Sequence, residues 1–189
     1  MKKIISVWQR NRDGDRLVRD EVTLGAEWVL AGEGNATRKW DGTAVMVKGG
    51  LLFRRYNCKG GKTPPEEFIP AQEPDVTTGH WPGWVPVSNR NPADRWFCAA
   101  WDRAVTSQII RDGTYELIGP HFQANPEGMT EDVFMPHGQW IFSAVPRDFA
   151  GMKDWLADKD IEGLVFHHPD GRMAKIKKRD FGLPRKVKP

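Results

Sequence analysis

The sequence predicts an α+β fold, antiparallel sheets flanked by helices, and three observations predict it. Gly49-Gly50 separates two apolar runs and reads as a two-residue hairpin turn, because glycine reaches positive φ without strain. Near the other end, Pro169-Asp170-Gly171 separates Glu162 to Phe166 from Met173 to Lys177 in the same way. Two further segments, Ala93 to Ile110 and Asp148 to Asp158, carry helical signals, and hairpins mixed with a few helices argue α+β.

Taken in order, the first third reads as strands at Ile4 to Trp8, Trp28 to Leu30, Ala44 to Val47 and Leu51 to Phe53. Residues 59–95 are dense in Gly, Pro, Asn and Asp and lack periodicity, so a long irregular excursion is expected, packed down by Trp81 to Pro86. The first helix follows, with Trp96, Ala99, Ala100 and Arg103 at helical spacing and Asp94 as an early cap. Thr114 to Gly119 reads as a strand and Trp140 to Val145 as another apolar segment before the second helix. A basic tail, residues 178–189, closes what is expected to be a single domain over 1–189, without internal repeats.

Composition narrows the class. At 39% hydrophobic and 28% charged residues, the chain builds a globular core, and no apolar run approaches the roughly 20 residues of a membrane span. The basic-then-apolar start lacks a signal-peptide core, and two cysteines, Cys58 and Cys98, are too few for a disulfide scaffold or a four-cysteine zinc site. A reducing, cytoplasmic setting is expected. Net charge is only +3, but it clusters at Lys175, Lys177, Lys178, Arg179, Arg185, Lys186 and Lys188, and again at Arg54, Arg55, Lys59 and Lys62. Such clusters suit phosphate-rich partners, and nine tryptophans add stacking surface.

Chemistry enters at Lys39-Trp40-Asp41-Gly42-Thr43, a turn leading into the Ala44 to Val47 strand. A lysine there is held firmly. Its amine attacks only once deprotonated, against a reference pKa of about 10.4, and burial, cations or a metal favour the neutral form. Arg38, Lys175 and Lys177 are the candidate cations. Lys175 and Lys177, two apart on a strand, share a face and can grip one phosphate chain. Taken singly, each feature has a plainer account: a charged turn, an alternating strand at Glu116, or the wet face of an edge strand. Five elements in fixed order argue otherwise: K-W-D-G-T (39–43), F-R-R-Y (53–56), Y-E-L-I-G-P (115–120), E-G-L-V-F (162–166) and A-K-I-K (174–177).

In order and spacing these elements resemble the adenylyltransferase domain of ATP-dependent nucleic-acid ligases, over roughly Lys39 to Lys177. That is a nucleotidyltransferase (ATP-grasp-like) fold shared with mRNA capping enzymes. Gln123-Ala124-Asn125-Pro126 after E-L-I-G-P, and the K-I-K-K-R-D-F-G-L-P ending, look most like RNA ligases, especially the small group related to the vertebrate 5′-to-3′ RNA ligase. The resemblance implies ATP with Mg2+ (or Mn2+), and RNA carrying 5′-phosphate and 3′-hydroxyl ends. Lys39 would form a lysyl–AMP bond, pass AMP to the 5′-phosphate, and the ends would then be sealed. It implies that Asp41 and Glu162 serve the metal and that Gly42 lets the backbone approach the nucleotide. Arg54 and Glu116 would contact the ribose, Val165 and Phe142 sandwich adenine, and Lys175 and Lys177 hold phosphates. Arg54, Arg55 and Lys59 would hold the nucleic-acid 5′-phosphate.

The chain departs from the pattern in two places. Arg38 stands where many RNA ligases carry an acid that accepts from the adenine amino group, and only twelve residues follow Lys177, so no oligonucleotide-binding (OB) barrel is expected. His80, His121, His137, His167 and His168 lack a zinc spacing and read as surface or supporting groups. Two alternatives stand beside the RNA ligase: a DNA ligase or other nucleotidyltransferase, and a non-catalytic nucleic-acid-binding module.

Overall fold

The structure, a computed structural model, describes residues 2–107 and 109–185. Lys186 and Lys188 of the basic tail, and Gln108 of the expected helix, lie outside the described residues. The first strands are β1 (Ile5–Ser6), β2 (Trp8–Arg10) and β3 (Val18–Val22), followed by helix α1 (Glu27–Leu30) and β4 (Asn35–Lys39). Next come β5 (Thr43–Lys48), β6 (Leu51–Cys58), β7 (Ile69–Pro70), β8 (Trp81–Pro86), α2 (Arg95–Ser107), β9 (Gly113–Ile118) and β10 (Val133–Pro136). The chain ends with β11 (Ile141–Phe142), α3 (Phe149–Ala157), β12 (Gly163–His167) and β13 (Met173–Lys177). Mixed α and β structure is therefore observed, and contacts divide the chain into two compact units. Among the described residues no helix is long and apolar enough to cross a membrane.

Residues 4–40 and 138–189 form one unit around a five-stranded sheet of order β1-β13-β12-β4-β11. All of its pairings are antiparallel except β1 with β13. Ala36, Leu164, Phe166, Ala174 and Ile176 alternate onto one face and are buried with Met152 and Leu156 of α3. Each such Leu, Ile or Phe is worth roughly 1.5–3 kcal/mol on full burial. The N-terminus of α3 is fixed by Asp148, whose side chain accepts from the Gly151 amide. The expected strand at Trp28 to Leu30 is instead helix α1, with Trp28 and Val29 buried. Three apolar residues in a row do not distinguish the two structures by period.

Asp41–His137 form the core of the second unit, whose six-stranded sheet runs β10-β9-β5-β6-β8-β7, antiparallel throughout. At the β5–β6 turn Gly49 and Gly50 have φ of 59° and 73°, the left-handed pair that a two-residue hairpin needs. Helix α2 lays Ala100 and Ala104 on Val45, Val47 and Leu117. The expected irregular excursion at 59–95 needs correction, because it supplies β7 and β8, and β8 pairs with β6 from Phe53↔Pro86 to Cys58↔Trp81. Prolines concealed β8: Pro82 and Pro86 lie near the two ends of this strand, where fewer ladder donors are required.

Candidate active site

In the five-stranded unit, Lys39 closes β4 and stands in register with Gly163, which in turn stands in register with Lys177 of β13. Glu162, one residue before β12, is only 8% exposed. Its two carboxylate oxygens divide the lysines: Oε2 accepts from Lys39 Nζ, and Oε1 from Lys177 Nζ at 2.5 Å. Gly163 makes this spacing possible, since a Cβ there would strike the Ile176 carbonyl and stand 2.7 Å from Lys177 Cα. Two residues further along, Lys175 pairs with Val165, and Val165 with Thr37. Strand alternation therefore puts Lys39, Lys175, Lys177, Val165 and Thr37 on one face, opposite the core. Asp180 secures the end of β13, accepting from the Lys177 amide at 3.1 Å and from Arg10 Nη2 at 2.5 Å.

Three lysines thus surround one carboxylate. Burial works to raise the Glu162 carboxyl, but the Lys39 and Lys177 ammonium groups outweigh it and hold it below the ordinary carboxylate range. Burial, then Lys177 and Lys39, push the Lys175 ammonium down to about 8 from 10.5. That displacement corresponds to roughly 3 kcal/mol of disfavoured charge.

Two expected members of this group lie elsewhere. Arg38 alternates onto the opposite face of β4 from Lys39, where its guanidinium sits 4.0 Å from the Trp40 ring centroid and Nη2 reaches the Asp160 carbonyl at 3.5 Å. Phe142 pairs with Ala36, hence on the core face, and packs edge-on against Trp155 at 5.1 Å. Phe142 and Val165 therefore stand on opposite faces and cannot sandwich one base.

Asp41, Gly42, Arg54, Arg55, Lys59 and Glu116 belong to the six-stranded unit. Glu116 Oε1 accepts from the Gly42 amide at 3.2 Å, and Oε2 lies 3.0 Å from His137 Nε2, whose other ring nitrogen meets Thr114 Oγ1 at 3.0 Å. A Cβ on Gly42 would collide with the Leu117 carbonyl and Ile118, so packing already requires this glycine. Ala44 pairs with Glu116, and Val45 pairs with Tyr115 and with Arg54. Alternation then gives Glu116 and Arg55 one face and Arg54 the other. Arg54 is held there by Asp94, Nε to Oδ1 at 2.6 Å, with Asp94 1% exposed. Of the two arginines, Arg55 and not Arg54 shares the sheet face of Glu116. Arg55 lies 4.8 Å from the Trp84 ring and lines a cavity of about 330 Å³ with Lys3, Asn57 and His80. Lys59 follows β6 and is exposed.

The amide of Asn125 is committed internally, its oxygen accepting from Met129 N and its nitrogen donating to Met129 O, both at 2.9 Å. Asp94, Glu127, His137 and Asp180 were not singled out as site residues from sequence; the contact from Glu127 to Asp41 spans 86 positions, and no local spacing signals it. Among the described residues no group of three or more His, Cys, Asp or Glu is placed to hold a metal ion.

Known proteins bear on this geometry. The chain is similar to the protein named RNA ligase 1 from Pongo abelii, 27% identical over 161 residues, covering 65% of this chain and 49% of that protein. The RNA ligase 1 proteins of Rattus norvegicus (27% over 161 residues; 65% and 49%) and Danio rerio (26% over 135 residues; 56% and 42%) match likewise. No family model matches the chain. It spans about half the length of the curated relatives it matches. The chain is related to this vertebrate RNA ligase group.

Proposed function

We propose that this chain is an ATP-dependent RNA ligase with a nucleotidyltransferase fold, and that Lys39 is its nucleophile. The observation that carries the reading is the Lys39–Glu162–Lys177 cluster with Lys175 on the same sheet face; the relation to proteins named RNA ligase 1 agrees with it. In the first step the Lys39 amine attacks the α-phosphorus of ATP, a P–N bond forms, and the bond to pyrophosphate breaks with its electron pair leaving on pyrophosphate. The nearest acceptor for the amine proton is the Glu162 carboxylate. Lys175 and Lys177 balance the phosphate charge, which grows on the leaving group. An RNA 5′-phosphate oxygen then attacks the AMP phosphorus and releases Lys39. Finally a 3′-hydroxyl attacks the activated 5′-phosphate and AMP departs.

A divalent ion fits this donor set, because Mg2+ is commonly bound by one or two carboxylates together with substrate phosphates. Glu162 is assigned to it; when bound it would neutralise developing phosphate charge. Glu116 is assigned to ribose hydroxyls, and Arg55 with Lys59 to the RNA 5′-phosphate. A cytoplasmic setting accords with the free thiols of Cys58 and Cys98.

Incubation with α-labelled ATP or GTP and Mg2+, followed by a denaturing gel, tests the chemistry. Label retained from ATP supports it, and no label from either nucleotide overturns it. Sealing of matched nicks with RNA or DNA on the 3′-hydroxyl side tests the substrate. Equal or better sealing of the all-DNA nick would remove RNA from the proposal and leave nucleotidyl transfer.

A further inference from the structure

The three residues that follow Trp40 are each held by a side chain from elsewhere in the six-stranded unit. The Asp41 amide donates to Glu127 Oε1 at 2.9 Å and the Gly42 amide to Glu116 Oε1 at 3.2 Å. Gln123 Nε2 donates to Thr43 Oγ1 at 3.3 Å. Two of these ties come from one loop, and its backbone is unusual: Gln123, Ala124 and Asn125 have φ of 49°, 59° and 54°. Three successive non-glycine residues in the left-handed region are strained, and such strain persists only where the surroundings impose it. Here Phe122, 4% exposed and edge-on to Phe97, anchors one end, and the paired Asn125–Met129 bonds close the other. Glu127 is thereby presented to the Asp41 amide rather than left in solvent.

We infer that Glu127 is a positioning residue for the nucleophile's turn: it fixes the backbone two residues after Lys39 by accepting from the Asp41 amide, and the strained 123–125 loop exists to place it. This rests on the Lys39 reading. The bond needs an acceptor oxygen and not a negative charge, so glutamine can replace glutamate. Pre-set geometry governs the rate of the reacting step more than ligand affinity, and small misplacements are costly.

Two readouts on the full chain separate the possibilities. Amide exchange at Asp41, followed by NMR, is expected to be slow in the wild type and in Glu127→Gln, and at least about tenfold faster in Glu127→Ala. The rate of AMP adduct formation at saturating ATP is expected to fall roughly 10- to 100-fold in Glu127→Ala, with half-saturating ATP unchanged, and to recover to within about threefold in Glu127→Gln. Unchanged Asp41 exchange in Glu127→Ala overturns the inference. So does a Glu127→Gln variant as slow as Glu127→Ala, which would make the charge of Glu127 its function. Should Glu127→Ala fail to fold, Gln123→Ala, which loosens the loop that carries Glu127, is read at the Asp41 amide with the same sense of outcome. Failure of the Lys39 reading would show differently, as an adduct that survives Lys39→Ala while Asp41 protection still depends on residue 127.

Discussion

The Glu162 cluster of one unit and the partnered carboxylates of the other use charge in opposite ways. In the five-stranded unit one carboxylate, Glu162, is shared by two lysines with a third on the same face, so positive charge is left over. In the six-stranded unit four carboxylates have partners of their own: Asp94 with Arg54, Asp132 with His121, Glu116 with His137 and the Gly42 amide, Glu127 with the Asp41 amide. Matched charge holds a fold together. Surplus charge costs stability and is kept where a substrate supplies the missing sign. The difference therefore separates the lysines expected to hold the phosphates of ATP from carboxylates such as Asp94 and Glu127 that are expected to shape the fold.

The sharpest way to break the comparison is to remove the shared carboxylate. Glu162→Ala should lower AMP adduct formation by more than about 100-fold, because it removes the acceptor of both lysines and the partner of the nucleophile. The protein should stay folded by circular dichroism, since the lysines it leaves can turn to solvent. Loss of the folded signal would return Glu162 to an architectural role and erase the contrast.

Adjacent arginines sharpen it next. Arg54→Ala strips buried Asp94 of its guanidinium and should cost on the order of 2–4 kcal/mol in urea unfolding. Arg55→Ala loses a contact over Trp84 worth about 1 kcal/mol, and should chiefly weaken RNA binding, by several-fold and more at low salt. The reverse ranking of stabilities would mean that the strand register has been misjudged as a guide to function.

The smallest effect is a pH dependence. Lys175 titrates at about 8 in the folded chain against 10.5 as reference, so its charge opposes folding at neutral pH. Its opposition is complete below about 8 and fades as pH rises from there to 10.5. Lys175→Met should therefore be more stable than wild type at pH 7, by about 1–2 kcal/mol, with the gap closing towards pH 10. A gap that is constant with pH would place its origin in packing.

Much of this was legible in the sequence, and the failures are informative. Gly49-Gly50 declares itself because turn chemistry is local. Lys39, Glu162, Lys175 and Lys177 are singled out by their order along the chain; the register adds what spacing cannot, a common face for the three lysines, and Glu162 joins them through its hydrogen bonds. Strand β4, Asn-Ala-Thr-Arg-Lys, was missed because only Ala36 and Thr37 of its five residues are buried, and its other positions serve the site. Sequence alone groups Arg54 with Arg55 and Phe142 with Val165, because a one-residue difference in register reverses the face and leaves no trace in composition. Glu127 and His137 act across long sequence separations, where only the folded backbone brings donor to acceptor.

The central claim is that the surplus charge around Glu162 marks Lys39 as the residue that bonds to AMP. Peptide mapping of the ATP-treated protein by mass spectrometry tests it most directly. The account predicts a single AMP-bearing peptide containing Lys39, lost in Lys39→Ala. An adduct mapping to Lys175, Lys177 or any other residue, or persisting in Lys39→Ala, would contradict it.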